Sequence, residues 1–171
     1  MRRPTELNAE FRSLGLKVTP QRQLLFRLLY DNATHPTADA LFELASSQMP
    51  GISLRTVYQT LTDLTAMGEL QSFDFGSGAT RFDPNVGTHH HLVCTVCGDV
   101  ADVYAEGADR LRVDDQHDFV VASTDIVFRG ECGACRDAAP ADHARISTPS
   151  STINTSTINT ATINTATRSQ S

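Results

Sequence analysis

No run in this 171-residue sequence approaches the roughly 20 consecutive apolar residues that a membrane-spanning helix needs, so no membrane partner is expected. Its basic start, Met1-Arg2-Arg3-Pro4-Thr5-Glu6, is followed by no apolar stretch, so the expectation is a cytoplasmic protein without a secretory leader. Cysteine is scarce. A reducing compartment directs the four that exist toward metal or redox chemistry rather than structural disulfides. An excess of positive charge is also missing, and a net charge of −6 argues at first against nucleic acid. The distribution says otherwise. Residues 1–30 carry six bases (Arg2, Arg3, Arg12, Lys17, Arg22, Arg27) against Glu6 and Glu10, whereas residues 71–171 carry seven arginines against thirteen acids. A basic head on an acidic body is compatible with a DNA-facing N-terminal region, and also with plain surface solvation. The length suits one ordinary domain or two small ones.

Residues 1–83 read as helices followed by a hairpin. Thr19-Pro20 is a cap followed by proline at the first helical position, and Leu24, Leu25, Leu28 and Leu29 recur at helical spacing. A second helix is expected after Thr37, through Leu41, Leu44 and Ala45 to Pro50. Ser53 caps a third, with Leu54, Val57, Leu61 and Leu64 as its apolar stripe and Gly68 as its stop. Two β-prone runs, Leu70 to Phe75 and Thr80 to Phe82, flank Gly76-Ser77-Gly78-Ala79, a hairpin signal. The order describes a winged helix-turn-helix. After a hinge at 84–88, residues 89–137 read as a second small unit. Its expected strands are His91 to Cys94 and Val100 to Tyr104 about the Gly98 turn, with a short helix within 106–116 and a β-rich stretch from Phe119 to Phe128. Residues 138–171 are expected to be a disordered Ser/Thr-rich tail. Its pentads, Ser151-Thr-Ile-Asn-Thr155 and two successors, offer one isoleucine each, too little burial to offset ordering entropy.

On the helix from Leu54, the residues Arg55, Gln59 and Thr62 share one polar face, with Thr56 and Tyr58 beside them. Arg and Gln make two-point contacts with guanine and adenine edges, and Tyr and Thr suit phosphate or thymine-methyl contact. A solvated helix face would carry similar residues. The preceding helix and following hairpin favour DNA, with Lys17 and Arg22, and Arg81 on the wing, as phosphate contacts.

The cysteines form two pairs, Cys94-Thr-Val-Cys97 and Cys132-Gly-Ala-Cys135, with 34 residues (98–131) between them. Two-residue spacing brings two thiolates to one zinc ion at about 2.3 Å each, and two such pairs complete a tetrahedron. The expectation is a structural Zn(2+) site at Cys94, Cys97, Cys132 and Cys135. Redox-active thiols are the alternative, but no thioredoxin-like βαβ pattern surrounds either pair. Any second metal site must then use nitrogen and oxygen. In an extended His89-His90-His91, His89 and His91 point to one side, with Asp83 and Asp102 close in sequence. Such ligands suit divalent Fe, Mn, Zn or Ni. His90, His117 and His143 are expected to be solvated.

At this point several motifs agree in order over residues 6–137. Thr19-Pro-Gln-Arg22, His35-Pro-Thr-Ala-Asp-Ala-Leu41, Thr56-Val-Tyr-Gln-Thr-Leu61, His89-His-His-Leu-Val-Cys94-x-x-Cys97-Gly98 and Cys132-x-x-Cys135 resemble the ferric uptake regulator (Fur) family of bacterial metal-dependent repressors. The resemblance implies an α+β chain: an N-terminal winged helix-turn-helix (1–83) and a small α/β dimerisation domain with structural zinc (89–137). It implies a homodimer on AT-rich inverted repeats of double-stranded DNA, and a regulatory ion held by His35, Asp83, His89, His91 and Asp102. Aspartate at 83 and 102, where iron sensors tend to have glutamate, resembles the peroxide-sensing (PerR-like) members. Those hold Fe(2+), lose DNA when peroxide oxidises a ligating histidine (here His35 or His91), and keep DNA without sensing when Mn(2+) is bound. The alternative is an iron-responsive repressor. Gln59 departs from the family's frequent arginine. Thr124 and Thr88 stand where an additional metal site would have ligands, so His90 and Asp109 are not expected to form one.

An enzyme is not expected. A metal hydrolase needs a general acid or base beside an open metal position, and no glutamate lies near the histidine triplet. A zinc-containing thiol redox protein or an interaction module without DNA binding is the alternative from another class.

Overall fold

Three hydroxyl side chains start three helices in the same way. Thr19, Thr37 and Ser53 each accept the backbone N–H three residues on, at 3.2–3.3 Å, which satisfies a donor left orphaned by helix geometry. In this computed structural model, which describes residues 1–76, 78–114, 117–121 and 124–138, the helices are Pro4–Ser13 (α1), Pro20–Leu29 (α2), Ala38–Gln48 (α3) and Leu54–Ala66 (α4). Gly68, at φ +70°, turns the chain out of α4 while the Glu69 N–H returns to the Leu64 carbonyl. Gln71–Phe73 (β1) and Arg81–Asp83 (β2) then pair antiparallel, with Ser72 opposite Phe82. The expected helix–helix–helix–hairpin order is present, with one helix added in front.

That helix, α1, escaped the sequence reading because only Leu7 and Phe11 mark its buried face. Pro4 at its first turn and the Arg3 N–H bonded to the Glu6 carboxylate (3.0 Å) start it. It closes the core: the Phe11 ring meets that of Phe26 edge-on at 4.8 Å, among Leu25, Leu29, Leu41, Leu61 and Leu64.

The second half is a three-stranded sheet in the order β4-β3-β5. His90–Cys94 (β3) is central, antiparallel to Val100–Val103 (β4) and parallel to Val127–Gly130 (β5), and Gly133–Asp137 (α5) follows. Two expectations need correcting. The short helix expected within 106–116 is, among the described residues, a 3-10 turn at Ala108–Arg110, with Leu111 already extended. Among the described residues of the β-rich Phe119–Phe128, strand structure is confined to Val127 and Phe128, continuing to Gly130. β-prone residues form strand only where an edge is available, and Phe119 and Val120 are 75% and 92% exposed. The tail from residue 139 and Ser77 of the hairpin loop lie outside the described residues.

Burial is uneven. Among the described residues beyond 84, the buried apolar side chains are Val93, Cys94 and Val100 alone, while fifteen in the N-terminal half form one cluster. So small a core does not hold a sheet by itself. Phe11→Ala should remove about 3–5 kcal/mol from unfolding of the helical half, read by urea titration of far-ultraviolet dichroism; a loss under 1 kcal/mol would detach α1 from the core described here.

Candidate metal centres and nucleic-acid interface

The thiols are gathered by backbone geometry. Gly98, at φ +73°, closes a turn in which its N–H donates to the Cys94 carbonyl (3.0 Å) and the Cys94 N–H to that of Asp99 (2.8 Å). The parallel strand β5 delivers the second pair: Thr95 N–H donates to the Gly130 carbonyl (2.7 Å), and Cys132 N–H reaches the Cys94 sulfur at 3.3 Å. The four Sγ atoms lie within 4.8 Å of one another, with Cys97 and Cys132 at 3.8 Å. Four sulfurs at about 2.3 Å from a tetrahedral ion would be about 3.8 Å apart. Backbone N–H donors from Cys97, Cys132 and Val96 bring the Cys94 thiol down to about 6. Hydrogen bonds shared with Cys97 and Cys132, with burial, push Cys135 up. Four thiols cannot ionise together at this spacing without a cation, and the donor set fits zinc.

The second cluster is made of nitrogen and oxygen. His35 comes from the loop before α3, Asp83 from the end of β2, His89 from the residue just before β3, His91 from β3, and Asp102 from β4. Their ligand atoms also lie within 4.8 Å of one another. His91 opposes Asp102 in the β3–β4 ladder, which places both on one face as strand alternation requires. Sequence spacing missed His35, 48 residues before Asp83. It is brought in by a left-handed backbone, φ +48°, an uncommon conformation for a non-glycine residue that costs on the order of 1–3 kcal/mol. Strand β2 holds that conformation: Arg81 donates to the His35 carbonyl (3.1 Å) and Phe82 N–H to the Pro36 carbonyl (3.0 Å).

How these atoms meet decides what they are for. His89 Nδ1 lies 2.8 Å from the Gly87 carbonyl, which only accepts, so Nδ1 carries the proton and Nε2 is bare in the neutral ring. Yet that bare Nε2 faces the Asp83 Oδ2 at 2.8 Å, lone pair against lone pair, and the His91 Nε2 stands 3.1 Å from it. Asp102 Oδ1 stands 2.7 Å from His35 Nε2. Asp83 Oδ2, Asp102 Oδ1 and His35 Nε2 are buried, and none makes a hydrogen bond of acceptable geometry. Buried acceptors converging without a proton between them are unfavourable unless a cation sits among them. Burial, with the neighbouring imidazoles of His89 and His35, pushes His91 below its ordinary value against the pull of both aspartates, which favours the neutral ring a metal requires. Burial raises Asp102, but the Asn85 hydrogen bond and the imidazoles outweigh it and keep the carboxylate ionised. The donor set fits a divalent ion of the iron or manganese type.

Phe73 and Phe75 cover His91, with ring centroids 4.5 and 5.1 Å away. His90, expected in solvent, is 5% exposed with an unpartnered Nδ1. The alternation of β3 puts it on the face opposite His91, which it shares with the exposed Leu92 and the buried Cys94. His117 is exposed, and His143 lies outside the described residues.

Of the expected DNA contacts, Lys17, Arg22, Arg55, Thr56 and Gln59 line one groove, while Tyr58 and Thr62 are exposed beside it on α4. Several are already engaged. Arg22 pairs with Asp63 at 2.5 Å, Gln59 donates to the other oxygen of Asp63 at 2.9 Å, and Thr56 shares a hydroxyl bond with Ser53. Arg81 does not project from the wing: its second donor reaches the Gly98 carbonyl at 2.6 Å, which ties β2 to the thiol turn. Arg2 and Arg3 pair with Glu10, Glu69 and Glu6, so the basic head is less free than its count suggests.

Residues 13–128 match the ferric uptake regulator family. Over 131 residues the chain is 33% identical to the peroxide-responsive repressor PerR of Staphylococcus epidermidis (strain ATCC 12228 / FDA PCI 1200), covering 75% of this chain and 87% of that protein. It is 34% identical to the PerR of Staphylococcus aureus (strain Mu50 / ATCC 700699), covering 75% and 88%. Its fold is similar to that of the Helicobacter pylori ferric uptake regulator, a protein with three functional metal binding sites. That likeness has a TM-score of 0.67 at 19% identity and covers 81% of this chain and 99% of that one. A zinc-bound manganese uptake regulator matches with a TM-score of 0.62 at 25% identity, covering 77% and 99%. Cys132→Ser should abolish retention of one zinc per chain after gel filtration and lower the melting temperature of the sheet; full zinc retention would remove Cys132 from the site.

Proposed function

The chain belongs to the ferric uptake regulator family of metal-dependent, DNA-binding repressors, and from that premise we propose that it is a peroxide sensor. It uses zinc at Cys94, Cys97, Cys132 and Cys135 as a structural ion, and Fe(2+) or Mn(2+) at His35, Asp83, His89, His91 and Asp102 as the regulatory one. The observation that carries this reading is the second cluster. It has no thiol, its carboxylates are the short ones of aspartate, and its buried Asp83 Oδ2 and Asp102 Oδ1 face imidazole nitrogens without making a hydrogen bond. The two PerR relatives, named as peroxide-responsive, support the same assignment.

Residues 1–83 act as the DNA-binding unit, 84–88 as the hinge and 89–137 as the dimerisation and metal-binding unit. Family members form dimers, and the exposed Tyr104, Leu111, Val113 and Phe119 offer apolar surface for a second copy. The groove on α4, lined by Lys17, Arg55, Thr56 and Gln59 with Arg22 held by Asp63, faces the duplex together with the exposed Tyr58 and Thr62 beside it. Arg55 reads base edges from the exposed side of the helix. An AT-rich inverted repeat is the expected target. Ligands from β2 and the loop before α3 belong to the head, and those from β3 and β4 to the sheet. An ion shared among them locks head and sheet in one orientation, and losing a ligand frees it.

When iron is bound, it supplies one-electron reduction of peroxide next to the imidazoles of His35 and His91. In the net reaction one peroxide oxygen is added to a ring carbon and the other leaves as water, so the histidine is oxidised by two electrons. Brief peroxide treatment of the Fe(2+)-loaded full chain should add the mass of one oxygen to a peptide holding His35 or His91, with release of DNA. The Mn(2+)-loaded chain should show neither change. Persistent DNA binding without an adduct in the iron form would make this an iron-responsive repressor instead.

A further inference from the structure

The two aspartates of the regulatory cluster do not present their oxygens equally. Asp83 Oδ1 accepts the Asn85 backbone N–H at 2.7 Å, and Asp102 Oδ2 accepts the Asn85 side-chain amide, also at 2.7 Å. The remaining oxygens, Asp83 Oδ2 and Asp102 Oδ1, are the ones that are buried, unpartnered and turned toward the imidazoles. A single residue therefore engages one oxygen of each carboxylate. Asn85 is itself fixed. Its side-chain oxygen accepts the Gly87 N–H at 3.3 Å, which leaves the amide nitrogen to face Asp102. Its backbone carbonyl accepts from Gln71 on β1, also at 3.3 Å.

The donor count turns on this. Three imidazole nitrogens and one oxygen from each aspartate make five donors, one fewer than a six-coordinate ion takes. A second oxygen from Asp102 would fill the last place. We propose that Asn85 is a positioning residue that limits Asp83 and Asp102 to one bond each with the regulatory ion and so keeps one coordination place free for a small neutral molecule, water at rest and peroxide when it arrives. The identity of peroxide rests on the functional reading above; the limit on carboxylate bonds does not. Partners that orient metal-ligating carboxylates commonly change metal affinity or activity by 10–100-fold when removed. The side chain is the part that mutation can reach, because the backbone N–H to Asp83 persists in any non-proline variant.

The test uses the full zinc-retaining chain loaded with Mn(2+), and counts exchangeable water on manganese by oxygen-17 relaxation. The native chain should hold one such water. Asn85→Leu, close in size but without the amide, should hold none, bind Mn(2+) within about tenfold of native, and in its Fe(2+) form add oxygen to histidine at least tenfold more slowly. A native chain with no exchangeable water would overturn the proposal, and does so without any variant. So would an Asn85→Leu chain that keeps both its water and its oxidation rate, or one that loses Mn(2+) altogether while retaining zinc and helicity. If the water behaves as expected but native Fe(2+) protein gains no oxygen, the limit on carboxylate bonds stands and the peroxide reading fails.

Discussion

A handful of buried carboxylate oxygens and imidazole nitrogens converging on one another is the constraint around which the rest of this chain is arranged. Asp83 Oδ2, Asp102 Oδ1 and the Nε2 atoms of His35, His89 and His91 approach one another to 2.7–3.7 Å, and neither carboxylate oxygen makes a hydrogen bond. That arrangement is costly in an apolar surround and favourable around a divalent cation. The five side chains come from four separate segments, so satisfying them fixes those segments relative to one another. Metal affinity and tertiary geometry are then the same free energy. Strand β2 is central to that linkage. Arg81 and Phe82 hold the left-handed turn that aims His35, Asp83 supplies a ligand, and Arg81 also reaches the turn that bears Cys94 and Cys97.

The two metal centres do different physical work. The helical half has an apolar core of its own. The sheet half buries three apolar side chains among the described residues, and the thiolate site substitutes for the packing it lacks. Zinc has no redox chemistry of its own, and a closed four-sulfur shell leaves no place for another molecule. The nitrogen-and-oxygen site is short of a full shell and is built from residues that a reactive ion can oxidise. Stability and sensing are thereby assigned to separate ions, and damage to the second leaves the first in place.

Much of this was legible in the residues. Three caps, a four-leucine stripe and a glycine-rich turn described the winged helix, because helix starts and hairpins are local events written in local chemistry. The two Cys-x-x-Cys pairs and the His-x-His segment likewise named their own sites. What escaped was non-local. Helix α1 shows two apolar residues until Phe26 is there to receive Phe11. Arg81 looks like a phosphate contact until the turn at Gly98 is folded against it. His90 is buried although Leu92, on the same face of the strand, is exposed, and no local pattern in the sequence marks that difference. Phe119 and Val120 carry strand propensity but are exposed and lie in no strand, and propensity without a partner does not make a sheet. His35 was found through family resemblance, since no spacing rule spans 48 residues and a left-handed backbone.

The account depends on the regulatory ion setting the orientation of the DNA-binding half. The direct measurement is the equilibrium affinity of zinc-loaded protein for a duplex selected from a random pool, with and without saturating Mn(2+), at fixed ionic strength. Manganese should tighten binding at least tenfold, about 1.4 kcal/mol, with the zinc content unchanged. Equal affinity in the two states would contradict the account at its root.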